Sequence, residues 1–169
     1  MSSRGPRALA LVGFMGAGKT VVGALVAQRS QSVFHDLDMM IEDHAGMAIS
    51  DMFATGSESV FRTIESELLP KALEQGGVVA LGGGTTMDDK NWDLIRSRAE
   101  TVYLEASLDT LWSRISEGGT RPLAAGRSRA QVAGLLDTRR SRYAEADHTV
   151  DANRALDAVA TEVLSLWSG

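Results

Sequence analysis

Short apolar runs alternate with stretches whose apolar residues recur every three or four positions, and this alternation organises most of the chain. Ala8-Leu-Ala-Leu-Val12 reads as a strand buried on both faces, and a helix follows from Gly18 to about Ser30. Ser32-Val-Phe-His35 is a second, weaker strand that delivers Asp36 and Asp38 to its C-terminal end. Helical segments are predicted near Met39–His44, Ser50–Ala54 and Glu58–Glu74, with Gly46 and Gly56 as punctuation. Val78-Val-Ala-Leu81 is a third strand running straight into Gly82-Gly83-Gly84, and Thr101-Val-Tyr-Leu104 a fourth, followed by a helix from Leu108 to about Glu117. A segment with glycines at both ends, Gly118 to Gly126, carries Arg121-Pro122. Ser128-Arg-Ala-Gln131 has the capping-box form and opens a long helix toward Ala146. His148-Thr-Val150 is a short last strand. The final helix presents Leu156, Val159, Ala160, Val163, Leu164 and Trp167 at i, i+3, i+4, i+7 spacing. Strands alternating with helices imply an α/β fold whose parallel sheet is covered on both faces, with ligands collecting beyond the C-terminal strand ends.

Composition narrows the picture. The chain has 169 residues, the size of one domain spanning 1–169, with 17 basic and 22 acidic side chains and a net charge of −5. That balance argues against broad binding to nucleic acid or an anionic membrane, and neither partner is expected. Cysteine is absent, which excludes disulfides and thiolate metal sites, and His35, His44 and His148 lack a zinc-type spacing. Met1 to Arg7 is a polar lead into the run Ala8–Val12, which is too short for a signal peptide or a membrane span; a cytoplasmic location is expected.

The strongest chemical signal is Gly13-Phe-Met-Gly-Ala-Gly-Lys19-Thr20, the pattern G-x-x-x-x-G-K-[ST] at a strand-to-helix turn. Its glycines let several backbone N–H groups converge on phosphates, and the helix N-terminus adds partial positive charge. Lys19 would reach the β- and γ-phosphates and the Thr20 hydroxyl would ligate Mg²⁺. Chance supplies on the order of one such match per hundred chains of this length, fewer once a strand before and a helix after are required.

Other candidates are weaker alone. Asp36 and Asp38, two apart in an extended segment, would point the same way. One could then hold Mg²⁺ through water while the other accepts hydrogen bonds from a substrate hydroxyl; equally, either one caps the next helix. Arg62 and Glu65, three apart on a helix, suit a surface ion pair of little energetic value. Gly82-Gly83-Gly84 clears every side chain from a strand's mouth, so a ligand can touch backbone there, although a flexible loop has the same composition. Arg121 suits a mobile lid bringing a cation to a transferring phosphate. Helical spacing sends Arg139, Arg140 and Arg142 in different directions, so at most one or two of them face any pocket and the rest form a solvated face.

In order along the chain, these motifs resemble those of shikimate kinase. The resemblance runs through Gly13–Gly23, Phe34–Glu42, Ile49–Phe53, Gly56–Glu58, Phe61–Glu65, Leu81–Gly84, Arg121-Pro-Leu123, and Arg139 four residues before Tyr143, with Glu145 and Asp147 following. It implies a five-stranded parallel sheet flanked by helices, a P-loop NTPase of the nucleoside-monophosphate-kinase type, with a mobile lid at about 118–127 and substrate-binding helices at about 38–65. The implied reaction transfers the ATP γ-phosphoryl to the 3-hydroxyl of shikimate, on the route to chorismate and the aromatic amino acids. The implied acceptor site is Asp38, Arg62, Glu65, Gly83, Gly84 and Arg139. Asp38 would be the base, Arg62 and Arg139 would grip the carboxylate, and Glu65 would orient Arg62. ATP would meet Gly16, Ala17, Gly18, Lys19, Thr20, Val21, Arg114, Arg121, Asn153 and Arg154, while Thr20 and Asp36 would hold Mg²⁺. Lys19, Asp38 and Arg121 would do the catalytic work. Three places depart from the family's pattern: Thr20 replaces the more usual serine but keeps the hydroxyl, Thr85-Thr86 follows Gly84 where a smaller apolar pair is usual, and Ser141-Arg142 stands where proline-leucine commonly precedes the tyrosine. A monomer is expected. The rival readings are a gluconate or nucleoside monophosphate kinase, which share the P-loop and lid, and a non-catalytic ATP-binding regulator.

Overall fold

In the computed structural model, which describes residues 7–118 and 126–167, the run Ala8–Val12 forms β1 and every residue in it is buried. On one edge β1 bonds to β3 (Val78–Ala80) and on the other to β4 (Ala99–Glu105), both parallel. A strand flanked on both sides and covered on both faces has no polar side, which is why its sequence does not alternate. β2 (Phe34–Asp36) pairs with β3, and β5 (His148–Asp151) with β4, so the described residues form a five-stranded parallel sheet ordered β2-β3-β1-β4-β5.

The helices are α1 (Lys19–Ser30), α2 (Leu37–Ala45), α3 (Ile49–Ala54), α4 (Glu58–Glu74), α5 (Asp89–Arg98), α6 (Leu108–Gly118), α7 (Arg129–Tyr143) and α8 (Leu156–Leu166). α8 packs on α1, joining Val159, Ala160 and Val163 to Val22, Val26 and Ala27 in the core. Each of these buried valines contributes roughly 1.5–3 kcal/mol relative to exposure, and each alanine methyl less. The capping box at the head of α7 is present: Ser128 Oγ accepts from the Gln131 N–H at 3.2 Å and Gln131 Oε1 from the Ser128 N–H at 2.8 Å. No helix among the described residues is long and apolar enough to cross a membrane.

Several local expectations change. β2 begins at Phe34 rather than Ser32, and Asp36 ends it as the N-cap of α2, accepting from the Met39 N–H at 3.2 Å. The two aspartates therefore do not share an extended segment: Asp36 caps the helix and Asp38 stands on its first turn. α7 ends at Tyr143 rather than near Ala146. α5 is an additional helix, started by the Asp88 side chain accepting from the Asn91 N–H at 2.9 Å. Only Trp92, Leu94 and Ile95 are apolar in its ten residues, too sparse for a helical stripe to stand out.

Sheet order reverses on either side of β1. The chain leaves β1 for β2 at one edge, then returns through β3 to β4 and β5 on the other side. This places the loops after β1, β2 and β3 around one crevice at their C-terminal ends.

Candidate functional site

The loop after β1 curls into α1 through Gly18, whose φ of 97° is the left-handed conformation that glycine enters freely. Lys19 is only 9% exposed, and its Nζ donates to the Phe14 carbonyl at 3.1 Å and to the Gly13 carbonyl. The ammonium thus sits inside the loop, against two acceptors that a phosphate oxygen could replace. No side chain caps the start of α1, so its first backbone N–H groups face the cavity at Gly18, Lys19 and Thr20.

Beside that loop, Thr20 Oγ1 donates to Asp36 Oδ2 at 2.6 Å, while the other Asp36 oxygen caps α2. Asp38, half-buried on the first turn of α2, lines the same cavity. Burial pushes its carboxyl up to about 6; the Asp36, Glu65 and Glu42 carboxylates push the same way, and only Lys19 opposes them. The cavity holds about 540 Å³, and its walls include Ile49 and Phe61 as well as Arg62, Glu65 and Gly82–Gly84. The sequence left this apolar lining unassigned.

At Gly82–Gly84 the absence of side chains has a geometric cause. A Cβ on Gly82 would lie 2.9 Å from Asp38 Oδ1, one on Gly83 3.1 Å from Arg139 Nη1, and one on Gly84 2.7 Å from Arg62 Nη2. Three side chains from α2, α7 and α4 therefore close on three successive backbone positions. The loop is held from behind: the Tyr143 hydroxyl donates to the Gly83 carbonyl at 2.5 Å. Burial raises that phenol to about 12, against the opposing charge and hydrogen bond of Arg139, so it remains a donor at neutral pH.

The Arg62–Glu65 pair differs from the surface pair expected from spacing. Glu65 is 1% exposed, its Oε1 accepts from Arg62 Nη1 at 2.9 Å, and its Oε2 accepts from Thr85 Oγ1 at 2.8 Å. Arg62 lies over the Phe61 ring at 4.9 Å and Arg139 over the Phe14 ring at 5.8 Å. Arg139 is 93% buried, and its Nη1 has no hydrogen-bond partner among the described residues. Such a buried, unsatisfied guanidinium nitrogen is costly unless an anion is bound there. A smaller cavity of about 320 Å³ joins Arg139 to Arg62, Glu65 and Gly84. Arg140 and Arg142 turn away: Arg140 pairs with Asp137 at 3.3 Å, and Arg142 with Asp89 and, at 3.8 Å, Glu145.

Across the P-loop lies a third space of about 250 Å³, lined by Gly16–Gly18, Val21, Arg114, Ala152, Arg154 and Leu156 among others. Val21 and Leu156 are large apolar side chains left 55% and 43% exposed, a surface suited to a flat base. Arg114 ties this wall together, donating to the Gly16, Ala17 and Ala152 carbonyls at 3.2, 3.3 and 2.9 Å. Asn153 does not line the space. Its amide oxygen accepts from the Ser107 N–H, in the connection from β4 to α6, and its amide nitrogen donates to the Asp151 carboxylate at the end of β5. Leu156 and Ala152 were missed because the sequence reads them only as part of a helix stripe and a turn. Arg121, and most of the expected lid, lie outside the described residues.

Comparisons with known proteins agree with this geometry. The shikimate kinase family model matches residues 15–167. A shikimate kinase of Salinibacter ruber is 37% identical, over 95% of this chain and 84% of its own length. A solved shikimate kinase of Acinetobacter baumannii in complex with shikimate superposes with a TM-score of 0.90, at 31% identity, covering 95% of this chain and 92% of its own. A gluconokinase of Sinorhizobium meliloti superposes at a TM-score of 0.60 and 18% identity, covering 95% and 90%; that likeness extends to the fold alone.

Proposed function

The chain belongs to the shikimate kinase family and is an ATP-dependent kinase, and we propose that it works with Asp38 as base and with Arg62 and Arg139 as the clamp on the shikimate carboxylate. The reaction is that of the family: the γ-phosphoryl of ATP passes to the 3-hydroxyl of shikimate, giving shikimate 3-phosphate and ADP. The observation that carries the residue assignment is the convergence of Asp38, Arg62 and Arg139 on Gly82, Gly83 and Gly84, next to the phosphate loop.

Each group then has a defined task. Arg62 and Arg139 hold the carboxylate through forked, charge-assisted contacts, and Arg139 brings the unsatisfied nitrogen that such a ligand completes. Gly83 and Gly84 let the ring approach the backbone, with Phe61 and Ile49 in the cavity wall. Asp38 accepts the hydroxyl proton as the oxygen bonds to the γ-phosphorus and the bridging bond to ADP breaks. A carboxyl near 6 is ionised at neutral pH yet basic enough to take that proton. Lys19 leaves the Gly13 and Phe14 carbonyls for the phosphates, and the N–H groups of Gly18, Lys19 and Thr20 donate to the phosphoryl oxygens. Arg121 would add a further cation there, on sequence grounds.

Thr20 and Asp36, two oxygen donors 2.6 Å apart at the loop's mouth, fit Mg²⁺, which takes few ligands from protein and the rest from phosphate and water. Bound there with ATP, the ion would offset charge on the β- and γ-phosphates. The adenine would rest on Val21 and Leu156 beside Arg114 and Arg154. Asn153 would act through the backbone turn it braces rather than by its amide. The protein is taken to work in the cytoplasm as a monomer with one domain over 1–169.

Product analysis tests the reading. After incubation with Mg-ATP and shikimate, phosphorus NMR should show one monoester coupled to the ring proton at C3. A phosphate on another hydroxyl, or on ATP-derived products only, would contradict it.

A further inference from the structure

Glu65 is fixed at both oxygens. Arg62 Nη1 donates to Oε1 at 2.9 Å and Thr85 Oγ1 donates to Oε2 at 2.8 Å. The terminal torsion of a glutamate is broad, so one bond to Arg62 alone would leave the carboxylate free to turn. The second bond removes that freedom. Thr85 is itself fully buried on a 3-10 turn (Thr85–Met87), its N–H donating to the Gly82 carbonyl at 3.2 Å and its carbonyl accepting from Asn91 Nδ2 at 3.4 Å. A Cβ built on Gly82 would meet Asp38 Oδ1 at 2.9 Å, Thr85 Oγ1 at 3.0 Å and Glu65 Oε2 at 3.4 Å. The hydroxyl therefore stands where two carboxylates, one of the acceptor clamp and one of the base, come together over the same glycine.

We propose that Thr85 is a positioning residue for acceptor binding: its hydroxyl holds Glu65, and Glu65 in turn holds Arg62 in the orientation that grips the shikimate carboxylate. This rests on the Arg62 role proposed above. Thr85 touches no reacting atom; its effect runs through Glu65. Its neighbour Thr86 is an internal contrast, because that hydroxyl is equally buried but has no hydrogen-bond partner among the described residues.

The test is steady-state kinetics with each substrate varied, on Thr85→Val, Thr85→Ser, Thr86→Val and Arg62→Ala, with the melting temperature of each. Thr85→Val removes the donor at nearly constant shape. It should raise the KM for shikimate by about tenfold and leave the KM for ATP within about twofold. Thr85→Ser, which keeps the hydroxyl, should restore the shikimate KM. Thr86→Val should leave both constants unchanged and raise the melting temperature by about 2–4 °C, since it removes an unsatisfied buried hydroxyl. The inference is overturned if Arg62→Ala raises the shikimate KM while Thr85→Val does not, or if Thr85→Val raises both KM values alike and serine fails to rescue. An unchanged shikimate KM in Arg62→Ala would instead bring down the clamp reading, and the Thr85 role with it.

Discussion

Asp38 is surrounded by Asp36, Glu42 and Glu65 with only Lys19 to offset them, and burial together with these carboxylates brings its carboxyl to about 6. Two consequences follow at the scale of this residue. The acid limb of kcat/KM, which reports the free enzyme, should have its midpoint near pH 6, where an ordinary aspartate would place it near 4. The second concerns stability. The folded pKa lies above the unfolded value of 3.8, so between those values the folded state binds more protons. Stability is then lost as pH rises through that window, and the penalty is complete above about 6. Asp38→Asn should therefore lower kcat by about 10²–10⁴-fold while stabilising the fold at pH 7.5 by about 1–3 kcal/mol, the gain vanishing toward pH 4. Kinetics and melting temperatures across pH check both halves; a variant that keeps its kcat removes Asp38 as the base. Arg139→Ala should raise the KM for shikimate by about 10–100-fold, the equivalent of a charge-assisted contact, with little change for ATP. A change confined to ATP would move Arg139 to the nucleotide side.

Among elements, the loop after β3 is the one on which Asp38, Arg139 and Arg62 converge, at Gly82, Gly83 and Gly84. Gly84→Ala would place a methyl 2.7 Å from Arg62 Nη2, the far end of a flexible side chain, so the fold should survive while the clamp is displaced. The expected result is a shikimate KM raised by about tenfold or more with a normal melting temperature; unchanged binding would show that Arg62 does not need that approach. The alternating pattern was enough to read β1, α1, α4, β4 and α8 from sequence, because each has a dense apolar signal. α5 was not legible, since one polar helix with Trp92 and Ile95 inward resembles a loop. The P-loop and the triple glycine were visible as local patterns. The burial of Glu65 was not, because i, i+3 spacing says nothing about Thr85 approaching from another element. Asp36 and Asp38 were placed at one site for the wrong reason: a helix turn, not an extended segment, brings them together.

For the whole molecule, the P-loop lies between two spaces, one lined by Asp38, Arg62 and Gly82–Gly84 and the other by Val21, Arg114 and Leu156. Lys19 and Thr20 face the first and Gly16 and Ala17 the second, so a triphosphate along the loop would join base pocket to acceptor. Positioning of this kind, with charge neutralisation, is most of what phosphoryl transfer requires from a protein. Shikimate at a hundredfold excess over its Kd should stabilise the fold by about 2.7 kcal/mol, a rise in melting temperature of about 5–10 °C, while gluconate should give none. A shift from gluconate alone would favour the sugar-acid reading of the same fold. The most direct test of the central claim is the coupled release of ADP from Mg-ATP with shikimate present and absent. Rapid release only with shikimate is the expected result; equal release without it, or release with gluconate in its place, would contradict the account.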